Sequence, residues 1–506
     1  MKTKLKSSYV VGYDGRDHVL LKEAEVVYEG ESIIYVGKEY GEAVDETIDC
    51  GNAVLSPGFI DLNALGDIDH DILHIEADAQ KSKNLLWSQE YMDNGPHEAM
   101  SEEEEAFKSL YAYTQLILNG ITTAMPITSV FYKKWAETYD ELAAAAHHAG
   151  NLGLRIYLGP SYQSGMRTVQ EDGTIQLVWD EEGGSQGLDR AVRFIKEFDG
   201  AYDGLVKGML APERVECQTE ESLKRTKAYS EELDVPIKLH AAQGSFEYHT
   251  IVGKHGVTPI RFLKDLGFLG PKTGIPHAHF IAGYSEAETG EGDDIDILSD
   301  TETTVIHCPL IMGRHSGGLE SFAKYKRSGV NLAIGTDTFP PDMFQNIRTG
   351  SMISRLHEKR VEDSTFADFF RAATLGGAKF LGREDLGRLA PGAKADIIAI
   401  DMDGYHIGAT DDPIRTMIMS GSGRDIKLSI INGRTVMRDQ QIPNIDLKEI
   451  QRKGQLYFEK MKKAYSKRDY QQLPEEELFT SSFPYVDSIE DSSRKDCVKV
   501  SKESET

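Results

Sequence analysis

The sequence carries little positive charge for its size. Against 82 Asp and Glu stand only 56 Lys and Arg, a formal net charge of −26 over 506 residues. Such a surface repels phosphate backbones and anionic headgroups, so neither nucleic acid nor a membrane is expected as a partner. Cysteine is scarce as well: Cys50, Cys217, Cys308 and Cys497 lie scattered without a CxxC pair, which fits a reducing compartment better than a disulfide framework. No apolar stretch approaches the roughly 18 residues that cross a bilayer. The opening "MKTKLKSSYVVGYDG" has basic residues without the apolar core of a secretion signal. A soluble, cytoplasmic protein is the expectation. Internal repeats are lacking.

What is present is a change of rhythm along the chain. From Tyr9 to Leu55, "YVVGYDG", "HVLLKEAEVVYEGESIIYVG" and "AVLS" alternate apolar with polar residues between Gly and Asp turns, the pattern of short strands. A second block of the same kind, "GRLAPGAKADIIAIDMDG" and "DIKLSIINGRTVMRDQ", comes between residues 387 and 439. Two such blocks around a long middle predict one small β-sandwich made by both chain ends. The middle alternates strands with amphipathic helices such as "EEAFKSLYAYTQLILNG", the βαβ manner of a parallel sheet. Its candidate strands are "GFIDL", "GITTAMPI", "LGLRIYLGP", "GLVKGMLAP", "VPIKLHAA", "GIPHAHFI", "TTVIHCPL" and "VNLAIGTD". Eight in a row predict an α/β fold of the (β/α)8 TIM barrel type, and the last four end in His or Asp, where barrels keep their chemistry. The predicted boundaries are 1–56 and 387–446 for the sandwich, 57–386 for the barrel, and 447–506 for a charged helix with an acidic, Ser-rich tail. That tail has too few apolar residues to bury itself, although Phe479, Phe483 and Tyr485 could dock on a neighbouring subunit of a homo-oligomer.

Seven motifs in order carry a resemblance: "PGFID" at 57–61, "NGITTAM" at 119–125, "KLHAAQ" at 238–243, "LGFLGPKTGIPHAHF" at 266–280, "VIHCP" at 305–309, "IGTDT" at 334–338 and "PGAKADIIAID" at 391–401. The set resembles the amidohydrolase superfamily, in particular its aminohydrolase and chlorohydrolase branch, over residues 10 to 465. The resemblance implies the same barrel and sandwich, and it implies roles residue by residue. His240 and Asp337 match metal ligands; His277 matches a histidine that ligates metal in some branches and polarises substrate in others. Neutral imidazoles with one carboxylate suit one divalent ion, zinc first, with iron, manganese or cobalt as alternatives. Asp337 beside an activated water can also take its proton and deliver it to a leaving nitrogen. An isolated histidine on a buried strand is usually a hydrogen-bonded core residue; three such groups at strand ends argue for a site.

The departures are as informative. Where the superfamily has a His-x-His pair on its first strand, this chain has Asn63 and Leu65. Asn63 still offers an amide oxygen to a metal, Leu65 nothing. Phenylurea and thiocarbamate hydrolases are similar in having an altered motif that often begins with Asn, although Leu65 departs from Asn-x-His. His70 in the following "GDIDHD" could replace a missing ligand, against the plainer reading of a solvated acidic loop; Lys207 could be a carboxylated metal bridge, against the plainer reading of a charge partner. Gln243 stands where deaminating and dechlorinating relatives carry a proton-shuttling Glu, and glutamine cannot shuttle. Glu247 reads as an exposed helix residue. Gln243, His307 and His315 are candidate substrate contacts, His279 is expected to be structural by strand alternation, and His147 and His148 read as helix caps.

Together these point to a metal-dependent hydrolase of a non-peptide C–N bond in a small, apolar or aromatic amide, urea or carbamate. The alternatives are a deaminase or dechlorinase of a nitrogen heterocycle, and a metal-free, non-catalytic relative, against which the joint retention of His240, His277 and Asp337 speaks.

Overall fold

Alternating burial draws both chain ends into one sheet. In the computed structural model, which describes residues 1–68, 79–94, 99–127, 134–285 and 291–486, Lys2–Tyr13 runs antiparallel to His18–Glu29 and parallel to Ala53–Pro57. Ile397–Asp401 then pairs antiparallel with Ala53–Pro57, and Ile426–Ile431 and Arg434–Arg438 extend the sheet. Residues from the two ends share one core, in which Leu5, Val10, Val26 and Leu55 meet Ile397, Leu428 and Ile430.

Between these ends lie eight parallel strands: β1 (Phe59–Leu65), β2 (Ile121–Ile127), β3 (Arg155–Leu158), β4 (Val206–Gly208), β5 (Ile237–Lys238), β6 (Thr273–Pro276), β7 (Thr304–His307) and β8 (Leu332–Ile334). β1 to β4 pair in order as one four-stranded sheet and β5 to β8 as a second. The period of two sorts their side chains. Ile60, Leu62, Met125, Tyr157, Met209, Ile306, Cys308 and Ala333 form one cluster, whereas Phe59, Ile121, Ile156, Val206, Ile237, Leu239, Val305 and Leu332 pack with the helices. The sheets touch at both edges: Leu210 bridges Ile237 in parallel, and the Asp337 amide donates to the Asn63 carbonyl at 2.8 Å. Between Asp61 and Ala64 the register of β1 against β2 slips, an irregularity of the kind that re-aims side chains near active sites.

Helix ends follow local rules. Glu102–Leu118 and Tyr139–Leu152 each open on a capping box, Ser101 with Glu104 and Thr138 with Glu141. Gly153, at φ 78°, ends the second in a left-handed turn that glycine enters without a Cβ clash. The expected C-terminal helix runs Leu447–Arg468 and packs Gly454 on Tyr111. Beyond it the chain stays docked further than its composition suggested. The Asp469 carboxylate accepts from Asn84 Nδ2 at 2.6 Å, Leu478 is buried, and Phe479 sits edge-on to Tyr465 of the same chain at 5.5 Å. Phe483 and Tyr485 are exposed, and residues 487–506 lie outside the described part.

One partly buried histidine gives the terminal sheet a pH dependence. His18 Nε2 pairs with Thr374 Oγ1 at 2.9 Å beside the Phe370 ring, and desolvation holds its pKa down to about 4. The unfolded chain binds the proton near pH 6.5 and the folded chain does not, so this contribution is complete above pH 6.5 and is lost as pH falls toward 4. Between pH 7 and 5 it amounts to about 1–2 kcal/mol, discounted for the solvent that reaches the ring. Urea unfolding of the native protein and His18→Gln at both pH values should show a shallower acid slope in the variant.

Candidate active site

Four strand ends converge. His240 follows β5, His277 follows β6, Cys308 follows β7 and Asp337 follows β8, with Asn63 inside β1. Ala242, His277 and Asp337 have φ values of 54°, 67° and 45°, left-handed backbone that costs a residue with a Cβ about 1 kcal/mol or more and persists only where its surroundings impose it. The turn aims side chains. His277 Nε2 stands 3.3 Å from Asp337 Oδ2, and the His240 and His277 rings lie 5.5 Å apart. His240 Nδ1 is 3.0 Å from the Glu213 carbonyl; donation there leaves Nε2 as the lone-pair nitrogen.

Electrostatics prepares these groups as donors. Burial, then Arg214 and Lys238, hold His240 well below the usual imidazole range, and burial followed by His240 does the same for His277. Both are therefore neutral at pH 7. His277 Nδ1 and Asn63 Oδ1 are buried without a hydrogen-bond partner among the described residues, and His277 Nε2 has the Asp337 carboxylate beside it. Leaving such atoms unsatisfied costs about 1–3 kcal/mol each, which a cation bound among them would offset. Borderline nitrogen with hard carboxylate oxygen is the donor chemistry of a divalent ion. The residues fit one.

Lys238 was not among the residues the sequence singled out. Two positions before His240 on the same strand face, it is buried and donates from Nζ to the Met125 carbonyl at 2.6 Å. Burial lowers its pKa to about 7 against the opposing pull of Asp61 and Asp337. Asp61 in turn accepts from the Thr336 amide at 2.9 Å and the Thr336 hydroxyl at 2.5 Å, tying β1 to the residue before Asp337. The period of two from His240 was the signal that could have found Lys238.

Gln243 Oε1 accepts from Arg214 Nη1 at 2.5 Å, and Arg214 Nε pairs with Glu213 at 3.1 Å. The expectation for Glu247 is corrected: it is buried, and its carboxylate accepts from the Ala242 and Gln243 amides at 2.5 and 2.9 Å. Burial, reinforced by Glu216, pushes its pKa up to about 8. It stands at the third position of helix Ser245–His255 and reaches back to the turn that carries Gln243.

The profile of the Amidohydrolase family matches residues 54–436. This chain belongs to the amidohydrolase family. It is a hydrolase acting on carbon–nitrogen bonds. It is similar to the 5'-deoxyadenosine deaminase of Methanosarcina acetivorans, 26% identical over 452 residues that cover 88% of this chain and 95% of that one. The 5-methylthioadenosine/S-adenosylhomocysteine deaminase of Halobacterium salinarum is 26% identical over 427 residues, 82% of this chain and 90% of its own. Among solved structures, an adenosine deaminase from Xanthomonas campestris with bound zinc superposes with a TM-score of 0.72 at 20% identity, covering 91% of this chain and 98% of that one. A mutant atrazine chlorohydrolase from Arthrobacter aurescens, complexed with zinc and atraton, gives 0.73 at 20%, covering 90% and 100%. The mixed α/β architecture of this amidohydrolase is accordingly TIM-barrel-like.

Other expected residues of the amidohydrolase fall elsewhere. His307 turns to the opposite strand face, its ring 6.1 Å from both Phe322 and Phe369. It is separated from the His277 and Asp337 side by the same alternation that places Cys308 there. His315 is exposed after helix Pro309–Arg314. Lys207 pairs with Asp199 at 2.9 Å, the charge-partner reading. His279 is buried beside Phe280 and Tyr284, beyond the end of strand β6. His147 and His148 are not caps: helix Tyr139–Leu152 continues past them, and they meet the Tyr202 hydroxyl at 2.6 Å and Ser109 Oγ at 2.9 Å. His70 lies outside the described residues. Trp87, Tyr91 and Met92 pack with Met166 on the hairpin Gly165–Val169 and Ile175–Trp179. Among the described residues no helix is long and apolar enough to cross a membrane.

Proposed function

We propose that this chain is a divalent-metal-dependent hydrolase that cleaves the bond between an sp2 carbon and a nitrogen substituent of a small molecule. Deamination of a nitrogen heterocycle is the favoured form. His240, His277 and Asp337, with the Asn63 carboxamide oxygen, would hold one ion, zinc first. Bound there, it supplies Lewis acidity that polarises the substrate and lowers the pKa of water. The two edge-matched parallel sheets support a closed (β/α)8 barrel over 57–386, and the shared terminal sheet supports a sandwich domain from 1–56 and 387–446.

The observation that carries the reading is the pairing of Asp337 with His277 at 3.3 Å. Asp337 takes the proton of the attacking water and passes it to the departing nitrogen, so one carboxylate serves as base and then acid. His277, neutral and fixed by its buried turn, faces the same carboxylate. With Oε1 engaged by Arg214, what Gln243 offers a ligand is its NH2 donor. The substrate atom beside it is therefore an acceptor, a ring nitrogen or a carbonyl oxygen. The deaminase relatives, aligned over nearly nine-tenths of the chain, favour the ring nitrogen. Gln243 itself favours the second reading, an amide, urea or carbamate, because a neutral donor suits a carbonyl oxygen that needs no proton.

A substrate panel separates the two. Methylthioadenosine and 5'-deoxyadenosine should release ammonia with a shift in purine absorbance, whereas anilides and phenylureas would release an arylamine instead. Turnover of neither class by zinc-loaded protein would refute both forms. Gln243→Glu adds a proton-transferring acid at the same place. Under the deaminase form, kcat for the purine should rise by about tenfold or more, within the range of a general acid; under the second form it should not rise.

A further inference from the structure

The first strand leaves this amidohydrolase short of donors, and the seventh holds one that neither the sequence nor the family match assigns. Among the described residues, a single group of three possible metal ligands has donor atoms within 4.8 Å of one another: His277, Cys308 and Asp337, all buried. Cys308 Sγ is also 3.7 Å from Asn63 Nδ2. Gly335 leaves the thiol room beside β8, since a methyl group there would stand 3.0 Å from Sγ and 2.5 Å from Asn63 Cβ. The sulfur is thus held against the same strand whose end carries Asp337. One His277 ring nitrogen stands in the same group, and its Nδ1 is buried without a hydrogen-bond partner among the described residues.

We propose that Cys308 is a ligand of the metal, its thiolate occupying the coordination position that the missing first-strand histidines vacate. The proposal rests on the metal-dependent reading given above. As the sulfur–metal bond forms, the Cys308 S–H bond breaks and its proton leaves to solvent; no oxidation state changes. Metal–ligand bonds of about 2.0–2.3 Å would set donor atoms in neighbouring coordination positions roughly 2.8–3.8 Å apart. His277 Nε2 and Asp337 Oδ2 already have that spacing at 3.3 Å, and the bound on Cys308 leaves only a small side-chain adjustment. Asn63, shorter than histidine and able to donate to sulfur through Nδ2, then steadies the thiolate in addition to offering its oxygen. A thiolate among nitrogen and oxygen donors biases the site toward zinc or cobalt over magnesium or calcium.

Cobalt(II) reports sulfur directly. The apo full-length chain, reconstituted with cobalt chloride and assayed for metal content, should bind one ion and show a near-ultraviolet thiolate-to-cobalt charge-transfer band. Cys308→Ser should abolish the band and weaken cobalt binding by more than about tenfold, the smaller loss that removal of even an indirect partner produces. Cys217→Ser, at a buried thiol on a different segment, should keep the band. One bound cobalt without the band in the native protein overturns the proposal and leaves the metal-dependent reading standing. Failure of the native protein to bind cobalt or zinc at all overturns both. Should Cys308→Ser not fold, the triple variant Cys50→Ser, Cys217→Ser, Cys497→Ser, whose one remaining thiol is Cys308, decides: the band should persist, and its loss overturns the proposal.

Discussion

Asp337→Asn is expected to lower kcat by about 10²–10⁴-fold, the range for loss of a positioned proton-transfer group, with little change in melting temperature. Asparagine keeps the shape and leaves the backbone bond from residue 337 to the Asn63 carbonyl, 2.8 Å, in place. What it removes is the charge and the proton affinity of the oxygen that stands 3.3 Å from His277 Nε2. An amide cannot accept a proton from water at neutral pH, so nothing in the variant takes over that step. Lys238, whose ammonium Asp337 helps to stabilise, also loses part of its counter-charge. The measurement is steady-state kinetics at saturating metal, with the ion content verified, beside a thermal melt. Activity within tenfold of the native protein would rule out Asp337 as the acid–base group.

The second large effect concerns stability. Arg155, at the start of β3, and Asp396, just before the strand Ile397–Asp401, form a buried two-pronged pair with bonds of 2.9 and 3.0 Å. Asp396 also accepts from the Asn432 amide at 2.7 Å. The pair joins the parallel sheet to the terminal sheet across 241 residues of chain. Asp396→Ala leaves a guanidinium with 2% of its side chain exposed and no carboxylate to compensate it, a change that typically destabilises by about 3–5 kcal/mol. The exchange of both partners, Arg155→Met with Asp396→Leu, buries no lone charge and should cost far less. Urea denaturation of the single and double variants tests this. A loss under about 1 kcal/mol for Asp396→Ala would mean that water or Asn432 replaces the carboxylate.

Much of this was legible from neighbouring residues. The period of two in "DIIAID" and "YVVGYDG" placed both chain ends in sheets, and the capping pairs Ser101–Glu104 and Thr138–Glu141 lay where the helices begin. His277 and Asp337 were legible because each ends a recognisable strand. Glu247 was not: only the left-handed turn at Ala242 bends the chain so that a helix carboxylate caps the amides behind it. The aim of Asn63 was hidden for a similar reason, since the register slip in β1 interrupts the alternation from which a facing direction is read.

By itself the sequence determined the order of strands and helices, the family, and which residue types stand at the strand ends, because those follow from patterns a few residues long. Only the tertiary structure decided which of them meet. It set Cys308 and Lys238 on the side of Asp337, turned His307 toward Phe322 and Phe369, and tied Arg155 to Asp396. Those outcomes depend on distances between segments hundreds of residues apart, which are fixed when parallel strands pair and buried polar atoms must find partners.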